Sequence, residues 1–363
     1  MDSFAFILHP INVKRDVSRK YPLLGRLLTA RQIDLLSTVF PPVYISEITG
    51  IRSQATGVEV KGWFVACPLT PTRMLELPEN TVYRKIVQTG KLAERLGAGL
   101  LGLGAFTSVV GDAGLTISRR LAIPVTTGDS YTVAIAVQAI REAARVMEIP
   151  LAGATAAVVG ATGAIGAISA ELIAREVPRL WLIGRRETAL QVLRERIQAA
   201  GPTQVEIATD MKPLREADLI LTVTSAIDSV IEPQDLRPGA VVCDVARPRD
   251  VAAAVAAVRD DVLVIDGGMV SVPGAVDFHF NFGFPPGLVY ACMAETMALT
   301  LEGRLESFTL GRQITFAQVQ EIEAMAHKHG FRLAGFRSFE HEVTAEHIAR
   351  VAERARAARP RPA

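Results

Sequence analysis

The stretch ATAAVVGATGAIGAISAELIARE, residues 154 to 176, decides the fold. It opens as an apolar run suited to a buried strand, turns through glycine and continues as a helix. Gly160, Gly163 and Gly166 fall in a GxxGxxG pattern. Such a turn lets the backbone touch a pyrophosphate and aims the first amides of a helix at its negative charge. The predicted phosphate cradle is Gly160, Ala161, Thr162, Gly163, Ala164, Ile165 and Gly166. The glycines alone are a weak signal, because similar turns occur wherever a helix packs closely on a strand. Their surroundings strengthen it. Short apolar runs come next at LWLIG (180–184), VEIAT (205–209), ADLILTVTS (217–225), AVVCDV (240–245) and VLVIDGG (262–268). Strands alternating with helical stretches predict an α/β fold with a Rossmann-type, doubly wound parallel sheet. Residues 151–170 are uncharged and long enough to span a bilayer, but the glycine turn and the strand series argue against a membrane segment.

The second run ends LIGRRE, with Gly184 where an acidic residue would hold the ribose 2'-hydroxyl of NAD. Arg185 and Arg186 come immediately after it and suit a 2'-phosphate, so NADPH is the expected cofactor. The plain alternative is that both are solvated loop charges. Thr224 and Ser225, after the fourth strand, and Gly267 and Gly268, after the sixth, lie at carboxyl ends where open sheets bind ligands. They are the candidates for the nicotinamide half.

A chain of 363 residues, 49% apolar, is long enough for two folded units. Lys and Arg number 39 against 38 Asp and Glu, which gives no general electrostatic case for nucleic acid. Cys67, Cys243 and Cys292 are odd in number and far apart, which fits neither a disulfide framework nor a CxxC metal site, so a reducing cytoplasm is expected. No metal-ligand cluster is recognisable. The opening MDSFAFILHPINVKRD lacks the basic start and cleavage pattern of an export signal. Upstream of the cofactor region, FAFILH reads as a strand, YISEITGI and VEVKGWFVACPL as a hairpin, and TVYRKIVQTGKLAERLGA as an amphipathic helix. A long helix comes after these, with Asp129 or Ser130 as its N-cap. The expected organisation is an N-terminal α/β substrate domain over 1–150, a Rossmann-type cofactor domain over 151–284, and a helical segment over 285–363 that packs on the substrate domain. The final RPRPA is expected to be disordered.

Several pieces together resemble the long-chain acyl-(acyl-carrier-protein) reductases of cyanobacteria. They are GAFTSVV (104–110), TTGDSYTVA (126–134), VGATGAIG (159–166), ACMAETM (291–297), GRQIT (311–315) and HKHGF (327–331), in the same order along most of the chain. The resemblance implies NADPH-dependent reduction of an acyl thioester to a fatty aldehyde, with Cys292 matching the cysteine that takes the acyl group. The opening keeps His9 but otherwise departs from the family's start, and the chain runs on well past Phe331. These differences bear on acyl chain length and carrier.

A free cysteine is most often packing material, and the resemblance is what turns Cys292 into a nucleophile candidate. Its position after Pro285-Pro286-Gly287 predicts a place one to two turns into a helix, so a neighbour should complete its activation. His9 and His279 are candidates for that neighbour. Thr107 and Ser108 are candidate oxyanion or orienting donors, and Glu295 could orient a partner. Cys67 and Cys243 read as core residues. An acyl carrier protein is acidic, and NVKRDVSRK near the start and Arg350, Arg354, Arg356, Arg359 and Arg361 near the end offer two basic surfaces. Either could instead meet an anionic membrane surface, and coenzyme A is the other possible carrier. The rival readings are an NADP-dependent dehydrogenase of a small polar metabolite, related to shikimate dehydrogenase or glutamyl-tRNA reductase, and a non-catalytic NADPH sensor.

Overall fold

The computed structural model describes residues 1 to 358 and divides into two compact units. Met1–Tyr131 and Val270–Arg332 form the first, and Thr132–Met269 with the chain from Leu333 onward forms the second. The division falls inside the helix Asp129–Val146. The RPRPA tail, with Arg359 and Arg361, lies outside the described residues.

The first unit is built on a six-stranded sheet. Its strands are β1 (Ser3–Leu8), β2 (Val43–Arg52), β3 (Glu59–Ala66), β4 (Leu100–Gly102), β5 (Val125–Thr126) and a further strand, Gly274–Asp277. The order across the sheet is Gly274–Asp277, β2, β3, β1, β4, β5. β1 runs parallel to β3 and β4, β5 runs parallel to β4, and β2 joins β3 as the antiparallel hairpin expected from the sequence. β1 is apolar from Phe4 to Leu8 because both of its faces are covered. Ala5 and Ile7 pack into a core with Val65, Ile86 and Leu101, under the helix Glu79–Leu96. Phe4 and Phe6, alternate along the strand, point to the opposite face. Their rings lie over Gly62 and Gly102, where an added Cβ would sit 2.4 Å from ring carbons. The helix Ala291–Leu301 covers this second face.

The second unit holds β6 (Thr155–Val159), β7 (Arg179–Ile183), β8 (Gln204–Ala208), β9 (Leu219–Thr222), β10 (Val241–Asp244) and β11 (Leu263–Asp266). They pair in parallel in the order β11-β10-β9-β6-β7-β8. Counted from β6 this is the 3-2-1-4-5-6 order of a doubly wound dinucleotide fold, with its switch point between β6 and β9. All six strands fall on the apolar runs read from the sequence.

The unit boundaries differ from the sequence expectation at both ends. The expected cofactor unit runs to 284, but the parallel sheet ends at Asp266, and the chain from Val270 returns to the first unit as a strand pairing with β2. The segment from Leu333, expected on the substrate unit, belongs instead with the cofactor unit. Phe339 packs on the core that contains Val242 and Val264, and the Glu340 amide faces Asp266. The helix expected to begin after Pro285-Pro286-Gly287 is preceded by a short strand, Leu288–Tyr290.

Candidate active site

Three glycine contacts fix how Cys292 is placed in the first unit. Gly99, just before β4, faces Leu305; Gly102, at its end, faces Thr296; and Gly128, after β5, faces Cys292. The helix Ala291–Leu301 therefore runs antiparallel to β4, and its first turn lies beyond the carboxyl ends of β4 and β5. Parallel sheets bind ligands at this edge. Only glycine fits at 128, where φ is +78° and a Cβ would lie 2.3 Å from Cys292 Cα.

Cys292 is the second residue of its helix, with Tyr290 as N-cap, and not one to two turns inside it. The intervening strand uses up the residues expected to form the first turns. The helix terminus therefore acts on the thiol directly, and the Met293 amide favours the thiolate. That help is worth at most about 2 kcal/mol, or roughly 1.5 pKa units. Burial wins, and with Asp129 and Glu295 it pushes the thiol up to about 12. Cys292 nonetheless keeps a partly accessible surface, whereas Cys67 and Cys243 are buried. Burial lifts the Cys67 thiol to about 11 and pushes that of Cys243 up as well. Both are core residues, Cys243 within β10.

Glu295, one turn after Cys292, is fully buried. Its carboxylate accepts from Thr126 Oγ1 at 2.5 Å, from the Tyr131 amide at 2.9 Å and from Thr309 Oγ1 at 2.9 Å, and the Gly128 amide also donates to it. Thr309 adds its own amide to Thr126 Oγ1 and lies 2.8 Å from Ser130 Oγ, while its carbonyl accepts from the Thr127 amide. One carboxylate thus ties the loop 126–131 to the cysteine helix and holds Gly128 against Cys292. Burial raises the pKa of Glu295 despite these donors.

Asp129 is the residue that sequence reasoning passed over, reading it as a helix N-cap. It is buried in the same loop, and its charge is one of the influences on the Cys292 thiol. Burial first, and Glu295 second, push its carboxyl up to about 7, against an opposing effect of Thr127. Asp129 is therefore a carboxylate that can take up a proton near neutrality in the loop beside Cys292. Its signal in the sequence was an acid between Thr126-Thr127-Gly128 and an apolar helix, which a cap also explains.

The other expected residues act on loops. His9 Nε2 accepts from the Phe106 amide at 3.1 Å, its ring stands edge-on to Phe106, and burial lowers its pKa to about 4. It is neutral and its free lone pair is taken, so it positions the loop 104–109 and is not poised as a base. The Thr107 and Ser108 hydroxyls donate to the Gly104 and Ala105 carbonyls within that loop. His279 lies after the Gly274–Asp277 strand, beside Thr49 and Asp277, at the sheet edge away from β5.

In the second unit the three glycines divide the work of a phosphate cradle. Gly160 has φ +81° and lies against the Val223 carbonyl, 2.5 Å from where a Cβ would stand. Gly166 packs on the Gly160 carbonyl, and this draws the helix Ala164–Ile173 onto the turn. A Cβ on Gly163, the N-cap, would meet only the Gly160 carbonyl, at 3.3 Å. The opening there, with the unpaired first-turn amides of the helix, suits a pyrophosphate. A Cβ on Gly184 would touch Leu190 at 3.5 Å and Thr162 at 3.7 Å, and the exposed Arg185 and Arg186 form no ion pair among the described residues. The Thr224 amide and hydroxyl and the Thr222 hydroxyl all donate to buried Asp250, so Thr224 shapes the switch-point loop, and Ser225 beside it is exposed. The Gly267 amide donates to the Asp244 carbonyl, and Gly268, at φ +85°, has open space around its Cα.

This geometry predicts two outcomes. Glu295→Ala strands several buried donors and should cost about 3 kcal/mol or more in urea unfolding, whereas loss of a single ordinary hydrogen bond costs about 1. Gly163→Ala should fold with nearly unchanged Tm yet weaken dinucleotide binding at least tenfold by calorimetry; unchanged affinity would move the pyrophosphate elsewhere.

Comparison with known proteins agrees with this division. The family model for shikimate / quinate 5-dehydrogenase matches residues 141–266, which is the parallel sheet of the second unit. The aminotransferase PigE of a Serratia species is 31% identical over 95% of this chain, and the chain spans 41% of that protein's length. The long-chain acyl-[acyl-carrier-protein] reductase of Synechococcus elongatus is 29% identical, over 80% of this chain and 87% of that protein. Among solved structures, L-tryptophan dehydrogenase from Nostoc punctiforme overlaps 98% of this chain and 89% of its own, at 11% identity and a TM-score of 0.42. Among the described residues no helix is long and apolar enough to cross a membrane. The sheet order and the glycine cradle give the second unit a Rossmann-type dinucleotide fold, and the chain is similar in sequence to the two proteins named above.

Proposed function

We propose that the protein reduces a long-chain acyl thioester to an aldehyde, with Cys292 carrying the acyl group and NADPH as reductant. The observation that carries the reading is Cys292 in the first turn of a helix at the carboxyl ends of the parallel strands β4 and β5, with an acid whose carboxyl is pushed up to about 7 in the loop pressed against it. An aromatic series from Phe64 through Phe278, Phe282 and Phe284 ends at Tyr290, two residues before the cysteine, with successive ring centroids 4.6 to 5.8 Å apart. Phe282 and Phe284, its partly exposed members, put apolar surface beside Tyr290, which supports an apolar acyl group over a polar metabolite. The shikimate-type model covers the cofactor unit and is silent on the substrate.

A thiol with a pKa of about 12 is ionised in only about one molecule in 10⁵ at pH 7, so a waiting thiolate is not the nucleophile. The proton leaves for Asp129 as the sulfur attacks the thioester carbonyl, and first-turn amides face the developing oxyanion. Asp129 returns that proton to the departing carrier thiol, whether acyl carrier protein or coenzyme A. Bound NADPH supplies the hydride that reduces the acyl carbonyl. Cys292 then leaves as thiolate, aldehyde is released, and one solvent proton per turnover restores the thiol. Glu295 and His9 act by position, holding the loops 126–131 and 104–109.

The test is turnover. A C16 acyl carrier thioester with NADPH should yield aldehyde in step with NADPH consumed; consumption with shikimate and none with acyl thioesters would overturn the reading. Because Asp129 must be ionised to accept the proton, single-turnover acylation should rise through pH 7 to a plateau. Asp129→Asn should flatten that limb and slow acylation roughly 10²-fold or more. Arg185→Ala with Arg186→Ala should raise the KM for NADPH roughly tenfold or more and leave that for NADH nearly unchanged.

A further inference from the structure

Exposed apolar side chains on this protein are concentrated in one short region of the first unit. Leu23, Leu27, Leu35 and Val39 are 71%, 75%, 61% and 74% exposed, and Tyr21, Phe40 and Tyr44 beside them are also exposed. They sit on the helices Pro22–Leu27 and Ala30–Ser37, at Tyr21 just before the first, on the turn after the second and at the start of β2, next to the basic helix Val13–Lys20. Single exposed leucines are ordinary on a soluble surface, but a cluster of this kind marks an interaction site.

The charge of the same region is equally uneven. Residues 11–40 carry Lys14, Arg15, Arg19, Lys20, Arg26 and Arg31 against only Asp16 and Asp34, in a chain whose net charge is +1. Both acids are already engaged, Asp16 by Arg15 and Arg19 and Asp34 by Arg73. A recess beside the patch is walled by Val39, Pro41 and Pro42 and by Lys85, Lys91 and Arg95 of the helix Glu79–Leu96. Two of the C-terminal arginines already face acids, Arg354 at 3.5 Å from Asp260 and Arg356 at 3.7 Å from Glu148.

We propose that this apolar and basic surface, residues 13–44 with Lys85, Lys91 and Arg95, binds the face of an anionic lipid bilayer. Short helices that raise leucines between lysines and arginines are suited to the boundary between acyl chains and anionic headgroups, where the leucines insert and the cations pair with phosphate. A second copy of the chain would set like charges against each other across a twofold axis. An acidic protein partner would answer the cations and leave protruding leucines without an apolar phase to enter.

The test is vesicle co-sedimentation of the full chain. Wild type should sediment with phosphatidylglycerol-containing vesicles, more weakly at high salt, and at least tenfold less with phosphatidylcholine alone. Leu23→Ser with Leu27→Ser, and separately Lys14→Glu with Arg26→Glu, should each lower partitioning at least tenfold with an unchanged Tm. No sedimentation of wild type with the anionic vesicles would overturn the proposal. So would binding of an acidic carrier protein that is lost in both variants while vesicles are ignored, or a sedimentation mass that halves in the leucine variant.

Discussion

The first unit depends on one buried carboxylate. Glu295 collects donors from β5 and the loop directly after it, and from Thr309, far away from both in sequence. A charge in that position is costly unless every lone pair is answered, and here four donors answer it. The same arrangement is why Gly128 can press on Cys292. The energy that offsets Glu295's burial is also what fixes the distance between the loop and the thiol. Burial pushes the neighbouring Asp129 toward neutrality, and the proximity of Glu295 adds to that shift.

The cofactor unit shows the same economy with acids in place of a single hub. Asp250 gathers Thr222 and Thr224 at the switch point, and Asp244 takes the amides of Ala246 and Val251 while burial pushes it up to about 7. Asp266 pairs with Arg247 and Arg249. These groups shape the loops at the carboxyl ends of β9, β10 and β11 and leave the glycine cradle after β6 open. In both units a loop at a strand's carboxyl end is shaped by a buried acid nearby.

Much of this was legible in the sequence. All six strands of the parallel sheet announced themselves, because buried parallel strands are continuous apolar runs and the glycine turn marked their start. The hairpin of β2 and β3 and the long amphipathic helix were equally readable. Less so was the helix start at Ala291: Pro285-Pro286-Gly287 signals a break without specifying the next element, and a short strand intervened. The roles of His9, Thr107 and Ser108 could not be read at all, since whether a ring nitrogen or a hydroxyl is free depends on backbone groups that meet it only on folding. Asp129 was hidden for a related reason. An acid before a helix reads as a cap, and only burial beside a second carboxylate and a thiol gives it another character. The domain boundaries were misjudged where the chain crosses from one unit to the other, a tertiary event without a local signature.

The central claim is that Cys292 carries the acyl group, and intact-protein mass spectrometry tests it most directly. Enzyme mixed with a C16 acyl carrier thioester in the absence of NADPH should gain the mass of one acyl chain, and Cys292→Ala should gain none. The adduct should disappear, with aldehyde released, when NADPH is added. No adduct on the wild type with either carrier protein or coenzyme A thioesters, or an equal adduct on Cys292→Ala, would contradict the account and return this cysteine to packing.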